Sequence, residues 1–325
     1  MLKPANGYKG IPKQGVSNLY YNENPDDLQA PCVWSLTGLR GSGKSYIISQ
    51  YLMHSQKRRV PLYDRVFIVT PSWKSNRSYW VDYIDDESAK QPTEKAVAEI
   101  MEELEAERDE WDAYVREMRT YKDVTKKICD GSELTDDEAV DALRRGYLET
   151  ETWLDGGRPP PPQWKRSQVR PAQCCLIFDD CLGHTQMMGS PSVMKLAIMN
   201  RHLCGLEEPF KFKGNVRTAI GCSVLYATQV FKATQGGPAK PLRANNTHAT
   251  VFRVRDPGAF DDVATEMGSF VGKSRFVHAY KLATGVDHGS LTVTFKPQRP
   301  DLQFRRGLGE LIVIPDKETF EELGT

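Results

Sequence analysis

The segment Gly38-Leu39-Arg40-Gly41-Ser42-Gly43-Lys44-Ser45 follows a short apolar run at 32–37 and precedes apolar residues at helical spacing from 46 to 54. It matches the pattern G-x-x-x-x-G-K-[ST] in full, in the strand, loop, helix context that the pattern requires. Glycines let backbone N–H groups approach phosphates, and the helix N-terminus adds partial positive charge. We therefore predict a nucleotide-binding loop in which Lys44 reaches the β- and γ-phosphates and the Ser45 hydroxyl coordinates Mg²⁺. The predicted contact residues are Gly38, Leu39, Arg40, Gly41, Ser42, Gly43, Lys44, Ser45 and Tyr46.

Four further apolar segments predict the rest of a sheet. They lie at 65–70, 174–178, 223–227 and 250–254, and helical segments alternate with them. This alternation indicates an α/β fold, with a mostly parallel sheet covered by helices on both faces. Open sheets of this kind bind ligands at the carboxyl ends of their strands.

Polar side chains follow two of these strands. Asp179 and Asp180 come directly after 174–178, and we expect Asp179 to hold Mg²⁺ and Asp180 to orient and deprotonate the attacking water. Gln229 follows 223–227, where its amide can donate to a γ-phosphate oxygen while accepting from the water. An acidic pair can also cap a turn, and strands that end in Thr-Gln are common. The order of the three segments is therefore what makes them informative.

Charge is unevenly distributed although the formal net charge is zero. Residues 82–155 carry 24 acidic and 10 basic side chains, which leaves 33 basic and 19 acidic in the remaining chain. A basic body with an acidic appendage is compatible with a polyanionic partner, although solvated surface charge explains the same distribution. The sequence lacks a long apolar run and a signal peptide, so we expect no membrane segment. The seven cysteines lack paired metal-ligand spacing, which favours reduced thiols, mostly in the core.

The acidic stretch predicts an insertion at 92–162 that divides a core of 31–91 and 163–325, preceded by an N-terminal arm at 1–30. Apolar residues recur every seventh position from Val97 to Met118, which indicates one long helix. Thr135 and Glu138 form a capping-box pattern that begins a second helix. A proline-rich segment then returns to the sheet. We expect this helical hairpin to pack on itself, so that its removal leaves nucleotide binding intact.

The chain resembles the packaging ATPases of poxviruses and other large double-stranded DNA viruses. The resemblance lies in the order of four segments: the phosphate-binding loop, a strand followed by Thr70-Pro71-Ser72, the acidic-pair strand and the Thr-Gln strand. These enzymes belong to the FtsK/HerA superfamily of P-loop NTPases. Arg201-His202 also precedes the Gln-bearing strand as in that family, although residues 204–222 intervene here. The resemblance spans roughly residues 31–255 without the insertion. It implies a RecA-like (ASCE) core that binds ATP and Mg²⁺.

The same resemblance implies activity and partners. It implies ATP hydrolysis coupled to translocation of double-stranded DNA into a viral capsid. It also implies a homo-oligomeric ring with nucleotide at subunit interfaces, where a neighbour's arginine, best matched by Arg201, completes each site. A helix cap near Gly205 is an equally good role for Arg201. A capsid or portal-vertex protein would be a partner, and the location would be host-cell cytoplasm, a viral factory or the virion. Basic residues that could follow a DNA backbone are Lys211, Lys213, Arg217, Lys232, Lys240 and Arg243.

Other classes of protein share parts of the pattern. A cellular DNA translocase or helicase of the same superfamily has the same motifs. A small-molecule kinase shares the loop but usually closes an arginine-bearing lid. A GTPase is suggested by D-x-x-G at 180–183, but no N-K-x-D guanine motif occurs in the sequence. A scaffold protein could use nucleotide as a regulatory ligand. Stimulation of ATP turnover by duplex DNA separates a DNA motor from a kinase and from a scaffold.

Overall fold

The computed structural model of the chain describes residues 28, 30–58, 60–148, 153, 158–181, 183–212, 215–232, 240–297 and 299–314. Within these ranges, the chain forms a nine-stranded sheet and a separate two-stranded sheet. The strands are β1 (Val33–Thr37), β2 (Arg65–Val69), β3 (Ala89–Lys90), β4 (Cys174–Asp179), β5 (Gly205–Phe212), β6 (Asn215–Ala219), β7 (Cys222–Thr228), β8 (His248–Phe252), β9 (Ser290–Thr294), β10 (Phe304–Arg306) and β11 (Glu310–Leu311). Of the N-terminal arm predicted at 1–30, only residues 28 and 30 are described, and both are buried in the core beside β1.

The large sheet has the order β11-β10-β9-β8-β1-β7-β4-β2-β3. The six strands from β8 to β3 run parallel, whereas β9, β10 and β11 continue the sheet antiparallel beyond β8. The parallel strand β7 therefore lies between the loop-bearing strand β1 and the acidic-pair strand β4. This is a mostly parallel sheet in an α/β chain, and the predicted fold class is confirmed.

Helices cover both faces of the sheet. On one face, Ile48 and Leu52 of the first helix pack against Trp34 and Leu36. On the other face, Val193 and Leu196 pack against the opposite side chains of β1, β4 and β7. The helices are α1 (Lys44–Gln56), α2 (Trp73–Asn76), α3 (Glu94–Asp130), α4 (Asp136–Arg144), α5 (Thr185–Met188), α6 (Pro191–Met199), α7 (Lys240–Ala244), α8 (Pro257–Val271) and α9 (Lys273–Thr284).

The five predicted strands are confirmed as β1, β2, β4, β7 and β8, with ends that differ by one or two residues. Their side chains are buried along almost their whole length, which is why each was recognisable as a continuous apolar run. The cysteines are free thiols, five of them buried and only Cys129 exposed. No helix among the described residues is long and apolar enough to span a bilayer.

The acidic helix α3 forms as predicted, and Thr135 and Glu138 make both hydrogen bonds of the capping box that begins α4. The distal part of the hairpin packs on itself, because Val124, Ala142 and Tyr147 form a small cluster of their own. The expectation that the whole hairpin is self-contained is wrong. Residues 97–104 of α3 contribute four buried apolar side chains to the main core beside β2 and β4.

A β-hairpin explains the long segment between Arg201-His202 and the Gln-bearing strand. β5 and β6 pair antiparallel and form the separate two-stranded sheet. A two-stranded hairpin is marginally stable alone, and this one packs on α3. The ring of Phe210 meets Trp111 edge-on at 5.5 Å between centroids, and the Arg116 guanidinium pairs with Glu207 at 2.5 Å.

Candidate functional site

The predicted phosphate-binding loop joins β1 to α1. Gly43 has φ 105° and ends the loop, since Lys44 is the first residue of α1. This backbone conformation is open to glycine and strained for a residue with a Cβ. Gly38 is required by space, because a Cβ there would lie 2.6 Å from Ser42 Oγ and 2.8 Å from Phe252 Cβ. The Gly38 N–H donates to the Thr228 carbonyl at 3.1 Å, which fixes the start of the loop to the end of β7.

Lys44 lies inside this loop, with 9% of its surface exposed. Its ammonium donates to the carbonyls of Gly38 at 2.7 Å and Leu39 at 3.1 Å. Burial lowers the pKa of Lys44, and the carboxylates of Asp179 and Asp180 oppose that shift. The lysine is therefore a positive charge held at the centre of the loop, where phosphate oxygens would replace the carbonyls as partners.

Asp179 is the last residue of β4 and is 2% exposed. The Ser45 hydroxyl donates to both of its carboxylate oxygens, each at 3.1 Å. Burial raises the pKa of Asp179, and the neighbouring Asp180 adds to the rise. A hydroxyl and a carboxylate are hard oxygen ligands of the kind that Mg²⁺ takes together with phosphate oxygens. The pair fits the predicted metal site, since a cation would relieve the cost of the buried charge.

Asp180 is exposed and adopts a left-handed backbone conformation with φ 56°. Aspartate is among the few residues that enter this region at modest cost. The turn directs the carboxylate away from the strand, and the Gln229 amide donates to Asp180 Oδ1 at 3.1 Å. The carboxylate and the amide are thus hydrogen-bonded neighbours at the sheet edge, and a shared role in positioning a water stays a prediction.

Strand order explains why these residues meet. β1, β7 and β4 are adjacent and parallel, so their carboxyl ends meet at one edge of the sheet. Lys44 follows β1, Asp179 ends β4, and Gln229 follows β7. Two further contacts close this edge: the Thr37 and Thr228 hydroxyls lie 3.4 Å apart, and the Cys181 thiol donates to the Val69 carbonyl at 3.1 Å. The sequence predicted the strand that carries each residue, but it did not predict which strands are adjacent in the sheet.

Three predicted contact residues lie at the outer edge of the loop. Leu39, Arg40 and Tyr46 are exposed, and Tyr46 has 57% of its surface open. These three side chains are therefore open to solvent, and their contact with a nucleotide stays a prediction.

Arg201 is not brought to this site. It is exposed in the turn after α6, directly after Asn200, whose carbonyl accepts from the N–H of Cys222 at 2.7 Å. Cys222 begins β7, and the site lies at its other end, Thr228. At about 3.3 Å per residue, the separation is roughly 20 Å. Arg201 can reach a nucleotide only across an interface, and its trans role stays a prediction.

The basic residues predicted to follow DNA are placed differently from one another. Arg217 is 5% exposed, and its guanidinium donates to backbone carbonyls, including Pro171 at 2.9 Å, so a DNA contact is wrong for this residue. Lys232 pairs with Asp262 at 3.0 Å and Arg243 with Glu266 at 3.1 Å. Lys213 lies outside the described residues. The exposed members without a described ion pair are Lys211 and Lys240.

Sequence reasoning missed Phe252 as part of the site. Its ring lies beneath the loop, 3.6 Å from where a Gly43 Cβ would be, and it is 2% exposed. The available signal was its place at the end of an apolar strand. That signal could not show that β8 lies next to β1.

Comparisons with known proteins concern architecture. No protein-family profile matches the chain, and no curated protein sequence matches it. Among solved structures, the chain is similar to the genome packaging NTPase B204 from Sulfolobus turreted icosahedral virus 2. In the complex with AMPPCP, the TM-score is 0.38 at 12% identity, covering 87% of this chain and 97% of that one. In the complex with ATP-gammaS, the TM-score is 0.39 at 14% identity, with the same coverage.

A second similar structure is the pCW3 conjugation coupling protein TcpA in its monomer form with ATPgS. Its TM-score is 0.36 at 13% identity, covering 72% of this chain and 53% of that one.

Proposed function

We propose that this chain hydrolyses ATP with Mg²⁺ and uses the energy to move double-stranded DNA, as a genome-packaging motor of a virus. The observation that carries the proposal is the convergence at one sheet edge of Lys44, the Ser45–Asp179 pair and the Asp180–Gln229 pair. Each group has a distinct task in phosphoryl transfer to water, and together they form a complete set.

The tasks follow from the environment of each group. Lys44, held by loop carbonyls, stabilises negative charge on the β- and γ-phosphates. Ser45 and Asp179 would hold Mg²⁺, which when bound neutralises charge that develops on the phosphate oxygens. Asp180 accepts the proton of the attacking water, and Gln229 orients that water through its amide. A kinase would need to exclude water here, whereas the carboxylate of Asp180 is exposed to it.

The proposal for DNA rests on the motif order and on surface features. Exposed apolar residues near the loop, namely Leu39, Tyr46, Val230 and Val286, suit an interface between copies of the chain. We propose a ring in which a neighbour's arginine, Arg201 being the candidate, approaches each nucleotide. Lys211 and Lys240 are exposed cations that suit contact with DNA phosphates. A capsid or portal-vertex partner and a location in the host-cell cytoplasm, viral factory or virion belong to the same proposal.

Steady-state ATP turnover with and without long linear duplex DNA tests this function. We expect Mg²⁺-dependent turnover that rises on addition of duplex DNA, and a stimulation that falls steeply as salt rises from about 50 to 200 mM. Heparin serves as a control polyanion and should not reproduce the stimulation. Turnover that ignores duplex DNA at every salt concentration would refute the motor and leave the alternative of a nucleotide-regulated scaffold or kinase.

A further inference from the structure

A cavity of about 200 Å³ lies beside the phosphate-binding loop and takes no part in the chemistry above. Three segments line it: residues 39–42 of the loop, the end of β8 at Phe252, Arg253 and Arg255, and the turn 286–289 between α9 and β9. Pockets for drug-sized ligands enclose roughly 300–1,000 Å³, so this one suits a smaller group. Its far wall is the turn 286–289, which leads into β9. Strands β9, β10 and β11, which run antiparallel beyond β8, are called the antiparallel extension below.

The strand order gives the cavity its direction. Counting from β1, the acidic-pair strand β4 lies two strands away on one side, and β8 lies next to β1 on the other. The Mg²⁺ ligands and the water-positioning pair therefore mark the γ-phosphate end of a bound nucleotide. The remainder of a nucleotide bound in this way would extend over β1 toward β8, on the side where Phe252, Arg253 and Arg255 line the cavity.

The turn that forms the far wall is held in place. The Arg253 guanidinium donates to the Thr284 carbonyl at 2.7 Å and so joins the end of β8 to the end of α9. His288 has φ 55°, and a Cβ on Gly289 would lie 2.4 Å from the Ala283 carbonyl oxygen. Only glycine fits at this close approach, so the turn is packed tightly against the end of α9.

The lining groups suit a nucleoside. Arg40, Arg253 and Arg255 line the cavity, and arginine guanidinium groups are planar and stack on bases. Val286 adds an apolar surface, and the exposed carboxylate of Asp287 accepts hydrogen bonds from amino or hydroxyl groups. We propose that this cavity takes the base and ribose of the nucleoside triphosphate and that Asp287 is a specificity-determining residue. This inference rests on the proposed nucleotide site and assigns the antiparallel extension a part in it.

The test compares the binding of Mg·ATP with that of Mg·tripolyphosphate, which has the phosphates without the nucleoside. In the unaltered chain, ATP should bind at least about tenfold more tightly. Asp287→Ala should weaken ATP binding by roughly tenfold, because a hydrogen bond to a charged group is lost, and leave tripolyphosphate binding unchanged. Gly289→Ala should have the same selective effect by moving the turn. Asp261→Ala, which alters an exposed carboxylate on α8, is the matched control and should change neither affinity.

Two analogues identify the donor that Asp287 meets. ITP lacks the 6-amino group, and 2′-deoxy-ATP lacks a ribose hydroxyl. The analogue that lacks the group bonded to Asp287 should bind the unaltered chain more weakly than ATP does. Its affinity should then be the same for the Asp287→Ala variant as for the unaltered chain. Equal affinity of the unaltered chain for ATP and tripolyphosphate would overturn the inference while the phosphate site stands. Equal loss of both ligands in Asp287→Ala would also overturn it. If neither ligand binds the unaltered chain, the proposed function itself fails.

Discussion

Lys44 is the residue on which nucleotide binding should depend most directly. Its ammonium is held by two loop carbonyls and contacts no apolar cluster, so Lys44→Ala should remove phosphate stabilisation while the fold survives. We expect hydrolysis to fall by roughly a hundredfold or more, in line with the loss of one preorganised donor at a developing charge. Lys57→Ala, at the other end of α1, is the matched control. Unchanged ATP turnover in a folded Lys44→Ala variant would refute the assignment of this loop as a phosphate-binding loop.

Asp179 and Asp180 should fail in different ways although they are adjacent. Asp179→Asn should weaken Mg²⁺-dependent nucleotide binding. Asp180→Asn should still bind Mg·ATP but hydrolyse it about a hundredfold more slowly, because the base is lost and asparagine tolerates the left-handed backbone. Nucleotide affinity measured beside single-turnover hydrolysis separates the two. Equal loss of affinity in both variants would refute the assigned roles.

Burial of Asp179 also predicts a pH dependence of stability. The pKa of Asp179 is raised in the folded chain, so its ionised form costs stability once the pH rises through that pKa. Asn keeps the shape without the charge. Without nucleotide, Asp179→Asn should therefore have a higher Tm than the unaltered chain near pH 7, with a difference that shrinks as the pH falls toward 4. A difference that grows on acidification would contradict this account.

At the scale of elements, the two ends of α3 have different packing roles, although apolar residues recur regularly along the helix. Residues 97–104 belong to the main core, whereas the segment from 121 onward packs on α4. Removal of 92–162 should therefore unfold the chain, contrary to the expectation from sequence. Replacing 122–158 by about four Gly/Ser residues should preserve fold and nucleotide binding, because Tyr121 and Pro159 are already joined by a 2.7 Å hydrogen bond. Thermal melts and nucleotide titrations of both variants check this boundary, and loss of folding in the shorter deletion would move it.

Glu107 is a buried acidic side chain that anchors α3 electrostatically. It is 4% exposed and meets Arg65 at 3.4 Å, Lys165 at 3.3 Å and Arg166 at 2.6 Å. Burial alone would raise the pKa of Glu107, but the hydrogen bond and charge of Arg166 and the charge of Lys165 hold it below its usual range. The anchor thus ties α3 to the start of β2 and to the segment that returns to β4.

Removing this charge should be costly. Glu107→Gln should lower the free energy of unfolding by about 3–5 kcal/mol at pH 7, since a buried network loses its central partner. The lowered pKa means that the contribution is present at neutral pH and is lost as the pH falls through the folded-state value. Glu110→Gln is the control one turn away, at a half-exposed position. Urea denaturation at pH 7 measures the difference, and equal stability of the two variants would dismiss the anchor.

Across the whole molecule, sequence reasoning worked where a local pattern determines structure. The five buried strands, α1, α3 and the capping box of Thr135 each depend on neighbours in the chain, as does the loop before Lys44. It did not work where distant segments meet. The antiparallel extension, the Phe252 ring under the loop and the turn at 286–289 depend on which strands are adjacent, which no periodicity encodes. The regular spacing of apolar residues along α3 likewise could not show which of its turns packs in the main core.

Assembly is the last property that the site predicts for the whole molecule. Leu39, Tyr46, Val230 and Val286 are 41–57% exposed, on the loop, on the first turn of α1, after β7 and in the turn before β9. Bound nucleotide would complete this surface, so a chain that retains ATP should associate more than one that releases it.

Asp180→Asn with Mg·ATP should therefore form larger oligomers than the same variant without nucleotide, measured by sedimentation velocity. Lys44→Ala should not respond to ATP. Leu143→Ser, which removes an exposed apolar side chain on the distant α4, should associate normally. Sedimentation of Asp180→Asn as a monomer at saturating Mg·ATP would show that this surface serves something other than a ring.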